Sequence, residues 1–251
     1  FTGSTSTGSI IASLAGKHLK KTVLELGGSN AFIVLADADI NAAAHEAAYS
    51  RFRDAGQSCN AAKRMIVVPD IADTFVEAFT REARLLQPGD PTQPDTTLAP
   101  LARADLRSNL HGQVLDAITN KATLLLGGQL PPGPGFFYPA TVLDHVSPAC
   151  RVYHEEVFGP VASIIRARDE EDAIRIANDT SFGLGATIYT TNNAHGWEVA
   201  RRIETGSVFI NRHTSSDLRL PFGGVKASGY GRELSEFGLY EFVNIKTYWQ
   251  K

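Results

Sequence analysis

Apolar residues recur along the chain in two rhythms, and the alternation between them sets the expected order of elements. Ile10, Ile11, Leu14, Ala15 and Leu19 fall at helical spacing behind a Gly/Ser/Thr turn that begins at Phe1. A strand is predicted over 22–35, with Val23, Leu24 and Leu26 apolar, Glu25 among them and a Gly pair following. Asp39 offers an N-cap to an Ala-rich helix that runs through about Arg53. A glycine turn carrying Cys59 comes next, then a strand over 64–68 stopped by Pro69. Ile71, Phe75, Val76, Phe79 and Leu86 share one helical face, and Leu106, Leu110, Val114 and Ala117 or Ile118 share another over 103–120. A proline-bearing loop separates these two helices. Strands at 123–126, 162–167, 185–190 and 207–211 alternate with helices at 170–178 and 194–204. Such alternation predicts an α/β layered fold with a largely parallel sheet flanked by helices. The tail from Phe242 alternates with period two, putting Val243, Ile245 and Trp249 on one face of a half-apolar strand that needs a cover.

Composition narrows the class without naming a function. The chain has 251 residues, 43% of them hydrophobic and 20% charged, which allows a sizeable core in one large domain or two small ones. A net charge of −3 gives no reason to expect a nucleic-acid or anionic-membrane partner. No apolar run approaches the ~20 residues of a membrane-spanning helix. The two cysteines make neither a metal pattern nor a disulfide framework, so a reducing cytoplasm is expected. The histidines are scattered and no metal site is predicted. Phe1-Thr2-Gly3 reads as the tail of a strand entering a turn, which suggests a piece of a longer chain.

The candidate chemistry centres on GQSCNAAKR, residues 56–64. Cys59 follows a Gly-Gln-Ser turn and opens a run of small residues that reads as a helix start. A thiol at a helix N-terminus would feel the positive end of the dipole, which favours the nucleophilic thiolate. The alternative is a buried structural cysteine, the commoner fate of a lone thiol. Glu25, in ELGGSN over 25–30, is a carboxylate among apolar neighbours and beside glycine-permitted backbone. It reads either as a functional acid or as the polar face of a half-exposed strand. The opening FTGSTSTG offers backbone N–H groups and hydroxyls to an anion, but Ser9 stands where a phosphate loop needs lysine, so an NTPase reading fails.

Taken together, ELGGSN, GQSCNAAKR, FTGSTSTG, EEVFGPV and PFGGVKASGYGREL resemble the aldehyde dehydrogenase superfamily, in the same order and across essentially the whole chain. The resemblance implies a catalytic domain over 28–238, the end of a Rossmann-like dinucleotide-binding domain over 1–27 and a terminal oligomerisation strand over 239–251. It makes Cys59 the nucleophile and Glu25 the base. Gly3, Ser4, Leu26, Gly27, Glu156 and Phe158 would line the NAD or NADP site, with Glu156 on the nicotinamide ribose. Phe222 would line the substrate tunnel near the sulfur. The terminal strand would pair with a neighbouring subunit, giving a homodimer or homotetramer.

Within that superfamily, Arg53, Ser216 and the tail GYGRELSEFGLYEFVNIKT are similar to the succinate-semialdehyde dehydrogenase subgroup. An arginine with a nearby hydroxyl makes a clamp for a small carboxylate. The expected reaction is oxidation of a small aldehyde to an acid through a thiohemiacetal and a thioester on Cys59. Oxidation of uncharged aliphatic or aromatic aldehydes, cofactor-independent thiol esterase chemistry, and a non-catalytic scaffold stand as alternatives. Cys150 reads as incidental, and Trp197 and Trp249 as packing residues.

Overall fold

A computed structural model describes residues 1–251. Its elements in chain order are α1 (Thr5–Lys17), β1 (Leu24–Glu25), β2 (Asn30–Val34), α2 (Ile40–Phe52), β3 (Ala62–Val67), α3 (Ala72–Arg84), α4 (Ala104–Thr119) and β4 (Thr123–Leu126). They continue with β5 (Thr141–Asp144), α5 (Arg151–His154), β6 (Val161–Arg166), α6 (Glu170–Asn178), β7 (Phe182–Gly183) and β8 (Gly185–Tyr189). The last are α7 (Asn193–Ala200), β9 (Ser207–Ile210), β10 (Val225–Lys226), β11 (Gly229–Tyr230) and α8 (Ser235–Glu241).

The main sheet has seven strands in the order β4-β5-β6-β3-β2-β8-β9. Every pair in it is parallel except β4 with β5. β2 and β3 are buried along their whole length, as the inner strands of a sheet covered on both faces must be. The chain runs from β2 to β3 in one direction across the sheet and from β8 to β9 in the other. Right-handed crossovers therefore place α2 and α7 on opposite faces. One cluster of 53 buried apolar residues runs through the sheet and both helical layers, so the α/β core is a single packed body. Phe52 of α2 meets Phe79 of α3 at 5.9 Å between ring centroids, and Phe79 stacks on Phe75 at 5.8 Å.

Four expectations need correction. The strand predicted over 22–35 is broken: β1 ends at Glu25, the Gly pair forms a loop, and β2 starts at Asn30. The helix after Phe1 forms, capped by Ser4, but of its residues only Gly8 is buried. Ile10 and Leu14, on the apolar stripe, face outward. The tail after α8 forms no strand, and Val243, Ile245 and Trp249 are exposed. Trp197 is exposed as well, so neither tryptophan is a packing residue within this chain. In the first helix and in the tail the pattern is amphipathic but nothing in the chain covers the apolar face. No helix is long and apolar enough to cross a membrane.

Phe79→Ala removes a fully buried ring shared by α2 and α3. We expect it to cost about 3–5 kcal/mol in denaturant unfolding. A loss well under 1 kcal/mol would mean that the two helices do not unfold with the sheet.

Candidate active site

The loops carrying the candidate residues converge at the amino ends of the central parallel strands. ELGG leads into β2, GQSCN into β3 and EEVFGP into β6, while Asn30 at the head of β2 reaches across to the head of β8.

Glu25 is set by backbone pairing on both sides. It faces Gly229 across the antiparallel β1–β11 pair, and its carbonyl accepts from Gly3 N–H at 3.0 Å. The side chain is only 3% exposed. Neither carboxylate oxygen has a hydrogen-bond partner. A Cβ on Gly223 would stand 2.9 Å from Oε1, so that glycine keeps the carboxylate's surroundings open. Burial pushes the Glu25 acid up to about 7; the nearby Glu233 carboxylate adds to this and Arg232 opposes it. A carboxyl poised near neutrality accepts or donates a proton readily.

Cys59 does not open a helix. It lies in a turn with Asn60, and β3 begins at Ala62, so the helix whose dipole was expected to act on the sulfur is absent. The small residues that suggested a helix start instead let the chain turn tightly and enter a buried strand. Asp54, Ala55 and Gly56 adopt left-handed φ values of 56°, 53° and 70° in succession. Gly56 is needed there, because a side chain would collide with the carbonyl of Gly159. Burial pushes the Cys59 thiol up, and the carboxylates of Glu156 and Glu25 push the same way. The Lys63 ammonium and the Asn60 backbone N–H oppose them.

The Gly pair of ELGG serves two neighbours. A Cβ on Gly28 would meet the Cys59 carbonyl at 2.6 Å, and one on Gly27 would collide with Glu156 Oε2. Glu156 Oε1 accepts from the Gly28 N–H at 3.1 Å and from Lys63 Nζ at 3.0 Å. Its second oxygen accepts no hydrogen bond from the chain, and the ring of the half-buried Phe158 lies near the same cation, its centroid 6.0 Å from Nζ. A free carboxylate oxygen over bare glycine backbone, with an aromatic ring alongside, fits the ribose and ring of a nicotinamide nucleotide. Leu26 is buried and packs on Gly8 of α1, while Ser4 caps that helix by accepting from Thr7 N–H at 3.3 Å.

The residues expected to meet the substrate are less closely gathered. Arg53 is exposed, donates to Asp54 at 3.1 Å and lies 5.9 Å from the Tyr49 ring centre. It borders a narrow recess with Ser58, Asn60, His213 and Thr214. Ser216 is exposed, borders no part of that recess and makes no hydrogen bond. Phe222 lines a different cleft of about 580 Å³ beside β9, together with Trp197 and Leu220, although a Cβ on its neighbour Gly223 would stand 2.9 Å from Glu25 Oε1.

Three residues went unremarked in the sequence. Asn30 donates to the Asn60 carbonyl at 3.0 Å and accepts from Gly185 N–H at 3.0 Å, tying the Cys59 turn to β8. Arg51 and Lys63 are fully buried cations beneath the same turn. Their signal was present, since Lys63 and Asn30 belong to the two motifs and Arg51 interrupts an otherwise alanine-rich helix. Burial of a charge, however, cannot be read from residue type.

With this geometry in place, relatives can be compared. The Aldehyde dehydrogenase family pattern matches residues 1–248. The chain belongs to the aldehyde dehydrogenase family. It is 51% identical over 249 residues to a protein of Escherichia coli strain K12 named succinate semialdehyde dehydrogenase (NAD(P)+) Sad, covering 99% of this chain and 54% of that one. A succinate-semialdehyde dehydrogenase (NADP(+)) of Deinococcus radiodurans is 49% identical over 245 residues, covering 98% of this chain and 51% of the other. Among solved structures, succinic semialdehyde dehydrogenase from Streptococcus pyogenes in complex with NADP+ superposes with a TM-score of 0.94 at 45% identity, covering 97% of this chain and 53% of that chain. The present chain thus spans about half the length of the curated relatives it matches.

The buried carboxyl makes stability depend on pH. Below the ordinary glutamate range Glu25 is protonated in folded and unfolded chains alike and contributes no difference. Between about 4.5 and about 7 the unfolded chain ionises first, and stability falls as pH rises through the folded value. Above that the penalty is complete, at most about 3 kcal/mol. Glu25→Gln should therefore raise the melting temperature at pH 8 and leave it nearly unchanged at pH 4. Equal effects at both pH values would contradict a raised carboxyl.

Proposed function

We propose that the protein oxidises an aldehyde to a carboxylic acid through a thioester on Cys59, using NAD+ or NADP+, with succinate semialdehyde as substrate. The observation that carries this is the unpartnered Glu25 carboxylate, held near neutrality and within electrostatic reach of the Cys59 thiol. Cys59 attacks the aldehyde carbon as thiolate. The Cys59 backbone N–H makes no hydrogen bond within the chain and is the donor available to the resulting oxyanion; such a donor is typically worth about 100–1000-fold in rate. Glu156, over Gly27, and Phe158 hold the ribose end of the dinucleotide, with Leu26, Gly3 and Ser4 on the approach to it. The dinucleotide, when bound, supplies the hydride acceptor. Glu25 then takes a proton from the water that hydrolyses the thioester, work worth about 100–10,000-fold for a positioned base.

The names of the similar proteins support succinate semialdehyde, and Arg53 supports it chemically as the carboxylate anchor. A specific observation favours a second reading, an uncharged aldehyde: Arg53 is already engaged by Asp54, and Ser216 stands apart from it. Phe222 and its cleft would then shape specificity. The exposed apolar face of the tail supports pairing with a second copy, giving a dimer or tetramer. Both thiols are free, which suits a cytoplasmic location.

In the intact protein, Glu25→Gln should keep the first-turnover burst of reduced dinucleotide while steady turnover falls by about 100–10,000-fold. Cys59→Ser should abolish both. Full oxidation by Cys59→Ser would sink the proposal. For the substrate, kcat/KM for succinate semialdehyde and butanal would be compared in wild type and Arg53→Ala. Selective loss of the acid aldehyde supports the clamp, and equal rates for both aldehydes, unchanged by the mutation, leave the chemistry but remove the substrate assignment.

A further inference from the structure

Lys63 occupies an unusual place for a lysine. It sits on β3, inside the core, with a fully buried side chain. Its ammonium has three protons and three acceptors: the Ser58 carbonyl at 2.9 Å, the Cys59 carbonyl at 2.9 Å and Glu156 Oε1 at 3.0 Å. Every donor is used. Arg51 rises from α2 beside it, donating to the Gly56 carbonyl at 2.6 Å and the Val157 carbonyl at 3.4 Å, and its Nε has no partner. The backbone from Gly56 to Cys59 is thus fixed from below by two cations, with Glu156 as the carboxylate facing both.

Carbonyl capping alone does not require charge at this depth, where desolvation is costly and pulls the Lys63 ammonium down to about 8. The charge has a reason on the other side of the loop. The ionisable groups that act on the Cys59 sulfur are Lys63 from β3, Glu156 from the loop before β6 and Glu25 from β1. Two of the three are carboxylates, which resist a thiolate; Lys63 is the cation among them. Around Lys63 itself stand Glu156, Arg51 and Cys59, so the thiol and the ammonium each favour the other's ionised form.

We propose that Lys63 is a positioning residue for the nucleophile: it pins the Ser58–Cys59 backbone and supplies the positive charge that lets the thiolate form between Glu25 and Glu156. The proposal deepens the reading of Cys59 as the attacking group and rests on it for its bearing on turnover. Its effect on thiol acidity can be measured without any aldehyde.

The test follows the pH dependence of Cys59 alkylation by iodoacetamide in the intact protein, with mass spectrometry separating Cys59 from the buried Cys150. Lys63→Met, close in shape and uncharged, should raise the midpoint by about one pH unit and slow labelling near neutrality about tenfold. Lys63→Arg should restore most of the shift, and Glu156→Gln should move the midpoint the other way. A cooperatively melting Lys63→Met protein with an unchanged midpoint overturns the proposal. If that variant does not fold, Glu156→Gln decides: an unmoved or raised midpoint overturns it. A wild type that labels as expected but oxidises no aldehyde would instead count against the proposed reaction, and leave the role of Lys63 standing.

Discussion

One buried amide holds the heads of three strands together. The Asn30 side chain stands where β2 begins; its Nδ2 donates to the carbonyl of Asn60, just ahead of β3, and its Oδ1 accepts from the first N–H of β8. Thr214 donates to the same Asn60 carbonyl and its hydroxyl also accepts from Asn30 Nδ2 at 3.4 Å. A buried amide with a partner on each end fixes direction as well as distance, because its two ends cannot be exchanged without breaking both bonds. Asn30 is also where the β2–β3 register shifts, between Asn30 and Ala31. The irregularity and the clamp occur together, and the Cys59 turn is placed by them.

The resulting site lies at the amino ends of parallel strands. In open α/β sheets ligands usually gather beyond the carboxyl ends. Here that rim carries polar loops such as the one in which Asp37 accepts from Thr190 and Thr191. The amino rim can serve because two bare glycines let the Cys59 carbonyl and the Glu156 carboxylate approach the backbone ahead of β2. Beneath the Cys59 turn, where a helix start was expected, lie two fully buried cations, Lys63 and Arg51.

Much of the fold was legible in the pattern of apolar residues. The α6 helix falls at 170–178 as expected, and α3 buries Phe75, Val76 and Phe79 as its stripe requires. The failures have a common physical cause. The stripe of α1 and the face of the tail are amphipathic signals for a contact, and a sequence shows that a face wants a cover without showing whether the cover lies in the same chain. The candidate residues could be picked out by motif, and their environment could not. Cys59 and Glu25 stand out by motif, but the run Asn60–Ala61–Ala62 is equally compatible with a helix start and a buried strand, and only packing against β2 and β6 selects the strand. Lys63 and Arg51 look like surface charges in the sequence and are among the most deeply buried side chains in the fold.

Cys59, Glu25 and Glu156 gather at one rim of the sheet, and the carboxyl ends of β2, β3, β6 and β8 point away from them. The connections after β2, β3, β6 and β8 leave the far side of the sheet from Cys59 and Glu25, so changes in their length do not have to pass through these two candidate groups. The loops after β2 and β8 are clasped together by Asp37, so a grafted peptide or an affinity handle placed in either would have to leave its bonds to Thr190 and Thr191 intact.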